Sequence, residues 1–213
     1  MIGSFGLARG HLLDRLRRRG VTEKTLRAVG STPRHLFVPA AAANLAYGPH
    51  EISAPEGAVP PAERVARVLD ALDLTDGQTL VVHGSSSGFE AAVAARVAQC
   101  VVVPAASERA RDAWKACGIE NIEVGSDAVR ASAIADFRRS ATIPADVKNA
   151  AARGIRSVII AGERMIAVVA AADGIAVEDH GAVEPPSQCG PIAGYGPPIE
   201  GDVVEGPPEG TYR

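Results

Sequence analysis

Aromatic residues make up only 4% of this sequence, so its core must be built from Val, Ile, Leu and Ala. Lysine is also rare, confined to Lys24, Lys115 and Lys148, and arginine carries nearly all the basic charge, a compositional habit without a chemical message. The three cysteines, Cys100, Cys117 and Cys189, are odd in number and have no CxxC spacing. That excludes a disulfide framework and a zinc site, and no metal is expected. Cys100 lies in an apolar run and reads as a small buried hydrophobe. No apolar stretch is long enough to cross a bilayer, since the longest, residues 165–172, is far short of a span. The opening Met-Ile-Gly-Ser-Phe-Gly lacks the basic and apolar regions of a secretory signal. The expectation is a cytoplasmic chain with no membrane partner. Lys+Arg is 22 against 25 Asp+Glu, a formal net charge of -3, which gives no reason to expect a nucleic-acid partner. The one basic run, Arg15 to Arg19, reads as the solvated face of an amphipathic helix.

With 213 residues, 46% hydrophobic and 22% charged, the chain has room for one domain with a sizeable core and not for two. Leu12, Leu13 and Leu16 form an apolar stripe that Gly20 ends, and a short helix follows around Thr25 to Val29. Pro33 and Pro39 bracket a connector, because Pro39 cannot lie inside a helix. Residues 44–61 carry four prolines and are irregular, while Val65, Val68, Leu69 and Leu72 mark a third helix. The periodicity then changes. Strands at Thr79–Val82, Cys100–Val103 and Ile122–Val124 alternate with helices at Ala91–Val97 and Ser107–Cys117, a series that predicts a parallel sheet covered by helices. The stretch from Ser132 to Ile143 is polar and short, so the sheet is expected to be truncated or rearranged there. A helix at Ala145–Arg153, a strand at Ser157–Ala161 and a hairpin turning at Asp173-Gly174 follow. The division is one domain over residues 1–185, with a helical and connector part to residue 75 and a sheet core after it. Residues 186–213 form a Pro/Gly-rich tail.

The main site signal is Val82-His83-Gly84-Ser85-Ser86-Ser87-Gly88, between a strand and a helix. Glycines there let a ligand approach the backbone, and the helix start offers free N–H groups. Ribose is usually gripped by a carboxylate at the end of the second strand, but that position is Pro104. Glu108, one turn on, reads as serving its helix dipole. Asp127 could accept from an adenine amino group or cap the next segment. His83 lies at the strand end with no acid or second histidine spaced beside it, which argues against a general base. Ser53, on the loop Ile52-Ser53-Ala54-Pro55, could orient a carboxylate or close its own turn.

Taken in order, Arg34-His35-Leu36-Phe37-Val38-Pro39, Ala46-Tyr47, Ile52-Ser53-Ala54-Pro55 and the loop to Phe89 resemble the protein-L-isoaspartate O-methyltransferase family over residues 10–165. The resemblance implies a class I methyltransferase-like (Rossmann-like) doubly wound sheet and an S-adenosylmethionine cofactor. It also implies methyl transfer to the α-carboxylate of isoaspartyl residues in a protein or peptide substrate. Ser53 matches the serine near the substrate carboxylate. His83, Gly84, Ser85, Ser86, Gly88 and Asp127 fall on the cofactor site. The cofactor motif departs from the family's. Ser86 replaces the middle glycine, Val82 the acid before the loop, and Pro104 the ribose acid. Glu51 stands where a threonine is usual, and would repel an acidic substrate. Three functions remain open: a methyltransferase with an altered pocket, a non-catalytic relative that binds a protein partner or forms a homo-oligomer, and a different small-molecule enzyme on the same plan.

Overall fold

The computed structural model describes residues 2–125, 131–172 and 174–182. Among them, seven strands form one sheet in the order β3-β2-β1-β4-β5-β6-β7. The strands are β1 (Thr79–His83), β2 (Cys100–Val103), β3 (Ile122–Val124), β4 (Ala133–Ser140), β5 (Arg156–Ala161), β6 (Arg164–Ala171) and β7 (Gly174–Ala182). The first five run parallel, and β6 and β7 are antiparallel to their neighbours. The chain moves outward from β1 through β2 to β3, then returns to β4 on the other side of β1. The carboxyl end of β1 is therefore the switch point at which doubly wound sheets open a crevice.

Among the described residues six α-helices accompany the sheet: α1 (Ile2–Arg18), α2 (Glu23–Ser31), α3 (Ala62–Leu72), α4 (Phe89–Ala94), α5 (Glu108–Ala116) and α6 (Ala145–Ala152). The stripe Val65, Val68, Leu69 and Leu72 is buried, as its spacing predicts. Thr22 caps α2 and Ser107 caps α5, each hydroxyl accepting from a backbone N–H three residues on. Arg15 departs from the expected solvated face. Its guanidinium donates to Glu63 at 2.8 Å and to the Tyr47 carbonyl at 3.0 Å, pinning α1 to α3 and to the connector.

The expected truncation after β3 is not found. β4 is a full central strand of eight residues, paired with β1 on one side and β5 on the other. Ala133, Ile134, Ala135 and Asp136 are all buried. Two alanines and an aspartate carry little β propensity, so the strand exists because both its neighbours need a partner. The helix expected at Ala91–Val97 begins earlier, at Phe89, and every residue of α4 is buried. Cys100 is half-buried rather than fully enclosed, as is Cys117.

Candidate functional site

The turn after β1 is held by its own side chains. Gly84 has φ +76°, and a Cβ there would come within 2.8 Å of the Arg138 nitrogen. The turn thus crosses directly over the end of β4. Ser85 and Ser87 are buried, and both hydroxyls donate to Glu90 Oε2, at 3.2 and 3.0 Å. They also accept from the Ala91 and Phe89 N–H groups, so the first turn of α4 is satisfied from within. Gly88, with φ +79°, lies against α5: a Cβ would meet the Ala110 Cβ at 2.6 Å and Trp114 Nε1 at 3.0 Å. Trp114 Nε1 donates to the Gly88 carbonyl at 2.8 Å. Only Gly84 and Ser86 of the loop face solvent.

The proline-bracketed connector braces this loop from below. Arg34, 1% exposed, donates to the carbonyls of Ala46, His50 and Val59 at 2.6, 3.0 and 3.0 Å. Its guanidinium carbon lies 5.8 Å from the centre of the Phe89 ring, and Phe37 packs on the same ring at 5.6 Å. His35 Nδ1 bonds Tyr47 Oη at 2.8 Å and stacks on Phe5 at 4.5 Å. Ile52 and Val59 exchange backbone hydrogen bonds, which folds the intervening residues into a turn. Exposed Ser53 rides on that turn. At its tip a Cβ on Gly57 would fall 2.2 Å from Ser86 Oγ. The Ser53 turn and the glycine loop are therefore in direct contact at the switch point.

His83, the last residue of β1, is half-buried and lies beside a charged cluster that the sequence did not announce. Its register partner on β4 is Asp136, buried at 1%. Arg138 donates to both Asp136 oxygens at 2.6–3.0 Å and to Asp146 at 2.9 Å. His83 Nε2 is 3.7 Å from Asp146. Burial and the nearby Arg138 hold the His83 imidazole below its ordinary range, against the opposing pull of Asp136 and Asp146. The neutral form of the ring is thereby favoured beside an ion pair already formed. Asp136 and Arg138, two apart on one strand, share a face, which was the available signal.

The positions that departed from the expected anion pattern are as inert as they read. Val82 is fully buried, and Pro104 is exposed at the end of β2. Glu108 lies in the first turn of α5 behind the Ser107 cap, consistent with service to the helix dipole. Asp127 lies outside the described residues. The repulsion expected from Glu51 is countered: its carboxylate is 2.5 Å from Arg64 and 3.9 Å from Arg139. Paired in this way, Glu51 adds little negative field to the site.

A protein-family model described as Protein-L-isoaspartate(D-aspartate) O-methyltransferase (PCMT) matches residues 8–130. The chain belongs to the protein-L-isoaspartate O-methyltransferase family. It is 34% identical over 125 residues to protein-L-isoaspartate O-methyltransferase 2 of Archaeoglobus fulgidus, covering 54% of this chain and 57% of that one. It is 36% identical over 110 residues to the Picosynechococcus sp. enzyme of the same name, covering 49% and 50%. The chain spans about half the length of the curated relatives it matches. Among solved structures, a protein-L-isoaspartate O-methyltransferase superposes with a TM-score of 0.66 at 18% identity, over 82% of this chain and 63% of that one. A Plasmodium falciparum chain described as a protein-L-isoaspartate O-methyltransferase, in complex with S-adenosyl-L-homocysteine, gives 0.61 at 14% identity, over 81% and 94%. The fold is the Rossmann-like class I methyltransferase fold with a mixed sheet.

The carboxylate that the loop's own serines bond is Glu90, and it is turned inward. Burial pushes its carboxyl up to about 7 despite the two serine donors, the helix backbone and the attraction of Arg64. A native state that holds this proton more tightly than the unfolded chain is favoured at low pH. The contribution is full below the ordinary value of 4.5 and is lost as pH rises to about 7. Glu90→Gln keeps an acceptor for Ser85 and Ser87 without the charge. It is expected to stabilise the protein at pH 8 by on the order of 3 kcal/mol and to flatten the stability profile between pH 5 and 7, read by urea unfolding. Parallel profiles for parent and variant would place the charge elsewhere.

Proposed function

We propose that this chain is an S-adenosylmethionine-dependent carboxyl methyltransferase acting on isoaspartyl or related aspartyl carboxylates, with a weakened grip on its cofactor. The observation that carries the reading is the contact of the Ser53 turn with Ser86 at the carboxyl end of β1. The turn that carries Ser53, the candidate carboxylate-orienting residue, thereby touches the loop that would hold a methyl donor. The cofactor supplies an electrophilic methyl group when bound. A carboxylate oxygen is already a nucleophile, so the protein's task is alignment and no general base is required. Ser53 would donate to one carboxylate oxygen and leave the other free to be alkylated. Arg64 and Arg139, by offsetting Glu51, keep the entrance tolerant of an anionic substrate.

The residues fit the cofactor in their backbone and less well in their side-chain anions. Gly84 and Ser86 are exposed at the right strand end, but Val82 and Pro104 cannot accept from an amine or from ribose hydroxyls. Each missing charge-assisted bond is worth about 1.5–3 kcal/mol, so two together weaken binding by roughly a hundredfold or more. A second reading, a non-catalytic relative that engages a protein partner, is favoured by a specific observation. The Cβ positions of Gly57, Gly84 and Gly88 are all met by the chain's own atoms, so none of these glycines is reserved for a ligand.

Titration calorimetry with S-adenosylmethionine separates the two. The enzyme reading expects a dissociation constant in the high micromolar range, and absence of heat at millimolar cofactor would sink it. On an isoaspartyl peptide, Ser53→Ala is expected to lower the methyl-transfer rate at least tenfold, by about 1.4 kcal/mol of lost alignment. An unchanged rate would remove Ser53 from the site.

A further inference from the structure

At the opposite end of the sheet, α1 and α2 enclose a cleft of about 630 Å³ lined by Arg9, Arg17, Lys24, Arg27 and Arg96 with one acid, Glu23. Its floor is aliphatic, presented by half-buried Leu13, with Leu26 and Ala28 buried beneath. The location follows from two contacts. Lys24 Nζ donates to the Leu74 carbonyl at 3.0 Å, just ahead of β1, and Arg96 donates to the Cys117 carbonyl at 2.6 Å, ahead of β3. Both lie toward the amino ends of the strands, away from Gly84. Arg17 is paired with Asp14 and Glu23, and Lys24 lies 3.5 Å from Asp76. Among the described residues, Arg9, Arg27 and Arg96 have no carboxylate within ion-pair distance; Arg9 reaches only the Gly30 carbonyl. On a chain of net charge -3, three uncompensated guanidiniums around one aliphatic floor form a local anion-attracting surface. With no aromatic ring among its lining residues, the cleft suits an acidic polypeptide better than the stacked bases of a nucleic acid.

We propose that this cleft is the docking site of the chain's own acidic segment, residues 199–205. That segment reads Ile-Glu-Gly-Asp-Val-Val-Glu, acids interspersed with aliphatics, which matches a cationic rim around the half-buried Leu13. Residues 183–213 carry Glu184, Glu200, Asp202, Glu205 and Glu209 against a single base, Arg213. The approach is short. The carbonyls of His180 and Ala182, at the end of β7, accept from Arg67 of α3. A groove there is lined by Arg67, Arg19, Gly20 and Val21, which adjoin Arg17 and Glu23 at the cleft. Residues 183–198 span on the order of 50 Å when extended, about twice the ~25 Å length of α1. The proposal is independent of methyl transfer.

The three lysines make the test direct. The full chain is treated with a zero-length carbodiimide, which joins an amine to a carboxylate in contact with it, and the products are mapped by mass spectrometry. Lys24 lines the cleft, whereas Lys115 and Lys148 are exposed elsewhere. The internal Lys24–Asp76 pair reports that the reaction works. Cross-links from Lys24 to Glu200, Asp202 or Glu205 are expected to exceed those from either other lysine by about tenfold, because docking raises the effective concentration. They are expected to disappear at about 1 M salt, where the screening length is about 3 Å, and to fall severalfold in Arg27→Glu, an exposed change that leaves the fold intact by circular dichroism. Equal cross-linking at all three lysines overturns the proposal. So does Lys24–Asp76 linkage with no Lys24 link to residues 199–205. Cross-links found only in covalent dimers would assign the cleft to a second copy and overturn docking within one chain.

Discussion

Replacing Arg34 by Met is expected to destabilise the protein by about 3–5 kcal/mol, the cost of removing one member of a buried polar constellation. Methionine fills much of the same buried space but donates nothing. The carbonyls of Ala46, His50 and Val59 would lose the guanidinium that now meets all three; Val59 keeps its bond from the Ile52 N–H, and the buried Ala46 acceptor left without a donor costs about 1–3 kcal/mol. Water can recover part of this only by opening the connector. Burial pulls the guanidinium down to about 10, so it stays charged at neutral pH, with Glu63 and Glu90 supporting the charge. The change should lower the melting temperature by roughly 10 °C, taking about 2–4 °C per kcal/mol for a chain of this size. Arg34→Lys should recover little, because a single ammonium cannot reach three carbonyls. A melting shift below about 2 °C would mean the connector holds its shape without the guanidinium. The consequence extends to the site: the same residues carry the Ser53 turn, so the variant is also expected to lose the contact between that turn and Ser86.

Much of this architecture was legible because its signals are periodic. The apolar stripe of α3, the helices α2 and α5, the strands β1, β2, β3 and β5, and the final hairpin all follow from spacing and turn chemistry. β4 was misread because its buried residues include Ala133, Ala135 and Asp136, whose strand character comes from two neighbouring strands rather than from themselves. The loop after β1 could be found from its glycines, but the purpose of those glycines could not. Only in three dimensions does Gly84 meet β4, Gly88 meet α5 and Gly57 meet Ser86. The His83, Asp136, Arg138 and Asp146 cluster and the inward-turned Glu90 were missed for the same reason. Each is assembled across strand pairing or helix packing, and a lone acid in sequence carries no record of what it will face. Arg34 was quoted as part of a motif, yet nothing in its neighbours signals that one side chain closes three carbonyls from a segment twelve to twenty-five residues away.

The second large effect is expected at Gly88. Gly88→Ala forces two separate penalties on one backbone position. The first is conformational: φ is +79°, a region that costs an L-residue roughly 1–2 kcal/mol. The second is steric. The new methyl would arrive 2.6 Å from the Ala110 Cβ and 3.0 Å from Trp114 Nε1. Neither neighbour can yield easily, since Ala110 is a buried helix residue and Trp114 is tied to the Gly88 carbonyl itself. Overpacking of this kind costs typically 1–3 kcal/mol, so the total should be about 3 kcal/mol or more. Gly20 separates the two contributions. It has φ +77° and open space around its Cβ position, so Gly20→Ala bears the conformational cost alone. Unfolding in urea should therefore show Gly88→Ala to be worse than Gly20→Ala by at least about 1 kcal/mol. The excess should shrink when Trp114→Phe is added, because that change removes the nitrogen that crowds the new methyl and anchors the carbonyl. Equal losses at the two glycines would show that α5 is free to move away from the loop. The loop could then open toward a ligand, and a Gly88 position that tolerates a methyl would weaken the case for a non-catalytic relative. A Gly88 position that rejects it fixes the loop against α5 by packing alone, whatever is bound on its outer side.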